Sequence, residues 1–391
     1  MRDRPLSHES GRRWVLLLGV TVIIALLAVL GVVVVNRFGG AGEPVAVEGI
    51  VGSEKVALFE DERVRARFAE LGFDVRVRPR GSRLLAEGAD EADFVSPGSA
   101  SASEHVRELH GVTTEYQPFS TPMVLLSHGP VAEALEGAEV ASRKEDGTWS
   151  FDLAAYLDLA GERTRWRDLP GNSVSSGNRN EVLVRTTDPR TSNSAAMYVV
   201  VLSYLLNDEE VVPPGDVDGE LSATLSRLFL AQGQPPESSQ QPFEQYRDLG
   251  AGHTPLLWAY ESQYVYAAVA GPPPPEDAVL MYPEPTVYST HTVVPFTDTG
   301  DEVGRLLTED PELRDLIAEH GYRTDDTAHF RDLVDEHGLP VRVQVDDVVH
   351  SPTYEALEAL LNDIEGSYES TGMAPPVEED GRTGRRGGGR E

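Results

Sequence analysis

Two hydrophobic periods alternate along residues 46–366, and their order sets the expected fold. "VAVEGIV" (45–51) reads as a strand, broken by Gly52 and Ser53. Val56, Phe59, Val64, Phe68 and Leu71 then recur at helical spacing up to Gly72. "FDVRVRP" (73–79) alternates as a second strand, and "GSRLLAE" starts a second helix with Ser82 as its cap. "EADFVSPGSASASEHV" gives a third short strand running into a polar helix mouth. "VLVRTTDPRTSNSAAMYVVVLSYLL" (182–206) repeats the unit: a strand ended at Asp188-Pro189, a polar turn, then an apolar helix. Strands alternating with helices predict an α/β fold. In open α/β sheets, ligands sit outside the carboxyl ends of strands, which is where these Ser-rich turns fall.

One apolar run follows neither period. "WVLLLGVTVIIALLAVLGVVVV", Trp14 to Val35, is 22 residues without a charge, about 33 Å as a helix and enough to cross a bilayer core. A cleaved signal peptide is the alternative, but its apolar region is typically about 7–15 residues. Arg2, Arg4, Arg12 and Arg13 precede the span, while Arg37 follows it. The positive-inside rule then puts the N-terminus in the cytoplasm and the rest of the chain outside. The expected location is the cell membrane, single-pass, with an extracytoplasmic C-terminal domain.

Composition narrows the chemistry. There are no cysteines, which excludes disulfides, cysteine nucleophiles and thiolate metal sites. A formal net charge of −32 argues against nucleic acid as a partner. The sequence holds no H-E-x-x-H, no G-x-S-x-G and no phosphate-binding P-loop, so an enzyme is not expected. His105 and His110 lack a third metal ligand. No metal, cofactor or catalytic residue is assigned.

The order of pieces "AELGFDVRV", "RGSRLL", "ADFVSPGS", "FSTPMVLLSHG" (119–129), "WRDLPG" (166–171), "TTDPRTSNSAAMYV", "VLMYPEPTVYSTHTVVPF" (279–296) and "DPELRDLIAEHGYR" (310–323) resembles the type 2 periplasmic solute-binding proteins. These are the extracytoplasmic substrate-binding receptors of ATP-driven importers. The resemblance covers most of residues 46–325. It implies two α/β lobes joined by hinge-crossing segments, preceded here by one transmembrane helix. The domains expected are a cytoplasmic tail at 1–13, the span at 14–35, and a tether at 36–45. Lobe 1 follows at 46–122 with 290–366, lobe 2 at 123–289, and a disordered tail at 367–391. Asp310 is expected to cap a closing helix, with Pro311 at its first position and Gly321 at its end.

Three polar mouths are candidates for ligand contact: Ser53; Ser96 with Ser99; and Thr191, Ser192, Asn193 and Ser194. A helix start offers unpaired N–H groups and a partial positive charge. One hydroxyl of "TSNS" can cap, which leaves the others for a solute. Ser53 and the 96–101 run each have an alternative reading as ordinary caps. Glu261, beside Tyr260, is a further ligand candidate; its alternative is a hinge-side ion pair. Lys55 reads more simply as an exposed first-turn lysine. The expected function is capture of a small polar solute for transport or sensing, with a membrane permease or envelope protein as partner. The alternative is a cell-envelope scaffold that keeps the fold without a small-molecule site.

Overall fold

The computed structural model describes residues 43–171, 177–215 and 217–373. The expected cytoplasmic tail at 1–13, membrane span at 14–35, tether residues 36–42 and tail residues 374–391 lie outside the described residues; the first residues of the expected disordered tail, 367–370, instead complete the last helix, because Tyr368 is buried in the core. Among the described residues, no helix is long and apolar enough to cross a membrane.

The described chain divides into two compact units. The smaller comprises residues 43–46 with 68–74, where the Val45 amide donates to the Gly72 carbonyl at 2.9 Å. The larger comprises residues 47–67 and the described residues from 75 onward.

Among the described residues, nine strands form one sheet. They are β1 (Val45–Val51), β2 (Phe73–Pro79), β3 (Phe94–Ser96), β4 (Tyr116–His128), β5 (Ala141–Arg143), β6 (Trp149–Asp152), β7 (Leu256–Tyr260), β8 (Ala278–Glu284) and β9 (Tyr288–Pro295). Their order is β2-β1-β3-β9-β4-β8-β6-β5, with β7 also on β4. β1 pairs with β3 in parallel, as β6 does with β8; β4 is antiparallel to β7, β8 and β9. The helices are α1 (Val56–Glu60), α2 (Glu62–Glu70), α3 (Ala100–His110), α4 (Gly129–Gly137), α5 (Leu153–Gly161), α6 (Asn193–Leu206), α7 (Gly219–Leu230), α8 (Gln240–Leu249), α9 (Glu261–Val269), α10 (Asp298–Glu309), α11 (Pro311–Glu319), α12 (Thr327–His337) and α13 (Tyr354–Ser370).

β4 organises the larger unit because it changes partners midway. Its first part pairs with β9 as far as Pro122 opposite Tyr288. From Met123 onward it pairs with β7 and, from Leu125, with β8. Pro122 has no N–H to give the ladder, which suits a place where pairing is handed over. The chain returns through β8 and β9, and Thr286 between them donates its hydroxyl to the Met123 carbonyl at 2.7 Å. Two halves of the sheet result, with β4 and the β8–β9 segment passing from one to the other.

Each half has its own core. In the second half, the two-residue period of β4 sends Met123 and Leu125 to one face, where α6 packs. Val124 and Leu126 go to the other face, against Tyr246, Phe330 and Val334. In the first half Ile50, Val95 and Val294 pack with Leu85 and Val106. Each such buried side chain stabilises the fold by about 1.5–3 kcal/mol relative to exposure.

Several local expectations change in the structure. The first helix is two, because the Asp61 carboxylate accepts from the Arg63 amide at 2.7 Å and starts a new turn. "GSRLLAE" forms only a 3-10 turn, Ser82–Leu84, with Gly81 and not Ser82 at its N-cap. Gly88, at φ 69°, reverses the chain before an α-helix can extend. Residues 182–188 form no strand; they make one isolated bridge, Arg185 with Leu257. Asp310 does cap α11, accepting from the Leu313 amide at 3.0 Å, and Pro311 is its first residue.

Candidate functional site

The "TTDPR" turn that leads into α6 is fixed by its own polar groups. Arg190 donates to both carboxylate oxygens of Asp188, at 2.9 and 2.7 Å, and its backbone amide donates to Asp188 Oδ1 at 2.9 Å. Both residues are buried. The Asp188 carbonyl also accepts from the amides of Thr191 and Ser192. The chain is thereby turned so that α6 starts at Asn193. α6 is buried continuously from Asn193 to Ser203, so its N-terminal amides open into protein rather than water.

No side chain caps that end. Ser192 holds the N-cap position, but its hydroxyl accepts from Thr187 at 2.8 Å instead of capping. A buried helix start without a cap leaves first-turn N–H groups for something else. The opposite mouth is different. Ser99 caps α3 by accepting from the Ala102 amide at 3.3 Å.

The two mouths meet. Asn193 Nδ2 donates to the Gly98 carbonyl at 3.0 Å, and lies 3.2 Å from both Tyr260 Oη and Ser289 Oγ. Ser289 itself donates to the Gly98 carbonyl at 2.5 Å. The backbone of Gly81 approaches the Thr191 carbonyl so closely that a Cβ there would stand 2.5 Å from it. Three hydroxyls at these mouths, those of Ser96, Thr191 and Ser194, are buried and have no hydrogen-bond partner. A buried hydroxyl without a partner costs about 1–3 kcal/mol, so three of them in two facing turns call for a ligand or ordered water.

Beside them lies a buried charged group. The Lys55 side chain is fully buried, with Nζ 2.5 Å from Glu54 Oε1 and 2.9 Å from His291 Nδ1. Burial pushes the Lys55 ammonium below its usual range, and the Glu54 carboxylate opposes that shift. Burial, and then the Lys55 charge, hold His291 well below the ordinary histidine value. An ammonium only donates, so Nδ1 is the acceptor and the imidazole proton sits on Nε2, 3.4 Å from Ser289 Oγ. The expectation of an exposed Lys55 is therefore corrected: the short turn Ser53–Lys55 points its last side chain inward.

Of the residues singled out from sequence, Ser96, Ser99, Thr191, Ser192, Asn193 and Ser194 come together in the two facing mouths. Ser53 stands at the start of its 3-10 turn, partly exposed. Glu261 is fully buried and its carboxylate is already taken up. Arg323 donates to it through Nε at 2.8 Å and Nη2 at 2.7 Å, and the Tyr282 hydroxyl at 2.5 Å. Sequence reasoning missed Ser289 and His291. The alternation in "YSTHTVV" sets both on one face of β9, but nothing local tells which face meets Asn193. Among the described residues, no group of three or more His, Asp or Glu side chains is arranged to hold a metal ion.

No family model matches the chain, and no curated protein does. Solved structures do. The sulfate-binding protein SubI from Mycobacterium tuberculosis H37Rv is 15% identical, with a TM-score of 0.48 over 84% of this chain and 99% of that one. The apo ferric ion-binding protein A of Pasteurella haemolytica is 10% identical, with a TM-score of 0.47 over 84% and 98%. The Azotobacter vinelandii periplasmic molybdate-binding protein is 13% identical, with a TM-score of 0.45 over 72% and 100%.

Proposed function

We propose that the chain is an extracytoplasmic solute-binding protein, tethered to the membrane by residues 14–35, that closes over a small polar solute. The observation that carries this reading is the set of buried, unpartnered hydroxyls of Ser96, Thr191 and Ser194 beside the uncapped start of α6. Hydroxyls and helix-mouth amides both donate, so a solute with acceptor oxygens satisfies them together. The helix dipole adds a preference for negative charge of about 0.3–1 kcal/mol, rising when closure buries it. Binding of this kind needs no bond chemistry. The solute exchanges its water shell for the mouths, and a permease or sensor partner would receive it.

A second reading has one observation behind it. Asn193, Ser289, Lys55 and His291 already satisfy one another across the meeting point. That network suits an envelope scaffold whose cleft is closed on its own side chains. A thermal-shift screen of the full chain against sulfate, phosphate, molybdate, amino acids and sugars separates the two. A ligand that binds only the folded state raises apparent stability by about 2.7 kcal/mol at one hundred times its Kd. A saturable rise with one class, lost in Ser194→Ala, supports capture. No shift with any class supports the scaffold.

A further inference from the structure

The last described helix lies against the turn that leads into α6, where the Arg190 guanidinium stands 4.8 Å from the centre of the Tyr368 ring, and it touches both halves. α13 packs Leu357, Leu360, Leu361, Ile364 and Tyr368 into the core of the second half, with α6 and α7. Asp363 accepts from Ser222 on α7 at 2.6 Å. Its other side meets the first half through the Arg83 guanidinium and one ring stack. Arg83, in the 3-10 turn after β2, donates to both carboxylate oxygens of Glu358, at 3.0 and 2.6 Å, and to Asn362 at 2.9 Å. The same side chain reaches Glu365 at 3.3 Å and the carbonyls of Pro189 and Arg190 at 3.2 Å. Further along, the His105 ring of α3 stacks on Tyr354 at 3.9 Å.

We propose that α13 is a latch: Arg83 ties it, and the turn it covers, to the first half, and this tie holds the two halves closed over the mouths. The inference builds on the proposed solute site, but the closure it describes does not require a solute. The geometry suits a releasable tie. Arg83 and Glu358 keep 12% and 18% of their side-chain surface, so water can compete for the pair, whereas the apolar side of α13 is buried. A planar fork bonded to two carboxylates, an amide and two carbonyls is lost as a unit when the halves part. A lysine could not reproduce it.

The chain has no cysteines, so a pair can be introduced for spin labels at the exposed positions Glu108→Cys on α3 and Asp158→Cys on α5. Distances are read in the full chain without solute. Arg83→Ala should move the distribution to longer values and broaden it, and Arg83→Lys should do so in part. An unchanged distribution in both folded single variants overturns the latch. A lower melting temperature with unchanged distances means that the contact is only structural, and also overturns it. If Arg83→Ala does not fold, Arg83→Lys carries the same decision. Because no solute is present, failure here is distinct from failure of the solute-binding reading, which the thermal-shift screen decides.

Discussion

Asn193 and Gly98 touch across the two halves of the sheet: the amide that opens α6 donates to the carbonyl just before α3, at 3.0 Å. The contact exists because position 98 has no side chain. A Cβ there would lie 2.7 Å from Asn193 Nδ2 and 2.9 Å from its Cγ. Closure of the mouths therefore depends on a glycine in one half and an amide in the other.

Gly98→Ala should act as a wedge. Overpacking of this kind costs about 1–3 kcal/mol, and here the strain is relieved by parting the halves. Small-angle scattering should give a larger radius of gyration and calorimetry a lower melting temperature. Adding Asn193→Ala should reverse part of both changes. If the radius stays at the parental value in a folded Gly98→Ala variant, the contact does not govern closure.

Ser194→Ala and Asn193→Ala should part company. Asn193 loses hydrogen bonds worth about 0.5–1.5 kcal/mol each, so its removal lowers stability. The Ser194 hydroxyl has no partner, so its removal without solute should leave stability unchanged or raise it. Urea unfolding of the two variants tests this. A marked loss of stability in Ser194→Ala would show that the hydroxyl is satisfied and not held for a ligand.

Glu261→Ala leaves the Arg323 guanidinium buried without its carboxylate. Breaking such a pair costs about 3–5 kcal/mol. Replacing both, as Glu261→Met with Arg323→Leu, should recover much of that loss. The pair is structural on this view, so solute affinity of the folded double variant should match the parent. A large affinity loss would return Glu261 to the binding site.

Acid should weaken the fold through His291. Its folded pKa is depressed by burial first and then by Lys55, while the unfolded chain has an ordinary value near 6.5. As pH falls below about 6.5 the unfolded state takes up the proton and the folded state does not, so stability falls with pH. The groups facing this imidazole are Lys55 Nζ, Glu54 Oε1 at 3.6 Å, and the rings of Phe119, Tyr260 and Tyr322. His291→Gln should flatten the decline between pH 6.5 and 5, measured by urea midpoints. The same slope in the variant would assign the effect to other groups, such as buried His320, whose pKa burial also lowers.

The sequence alone carried the elements whose signal is local. The β-type runs broken by glycine mark β1 and β2, and the Asp310-Pro311 pair marks the start of α11, because strand and cap signals depend on neighbours within a few residues. The polar turns at 96–101 and 191–194 were legible for the same reason. Local pattern could not say what those turns meet. Lys55 reads as a surface lysine until Glu54 and His291, 236 residues beyond Lys55, close around it. Glu261 reads from sequence as either a ligand contact or an ion-pair partner, and it is Arg323, 62 residues beyond it, that supplies the pair. Burial of a charge is decided by partners, and partners come from distant strands whose pairing the pattern does not encode. The same holds for α13, which only the packed structure sets between Arg83 and the core it shares with α6.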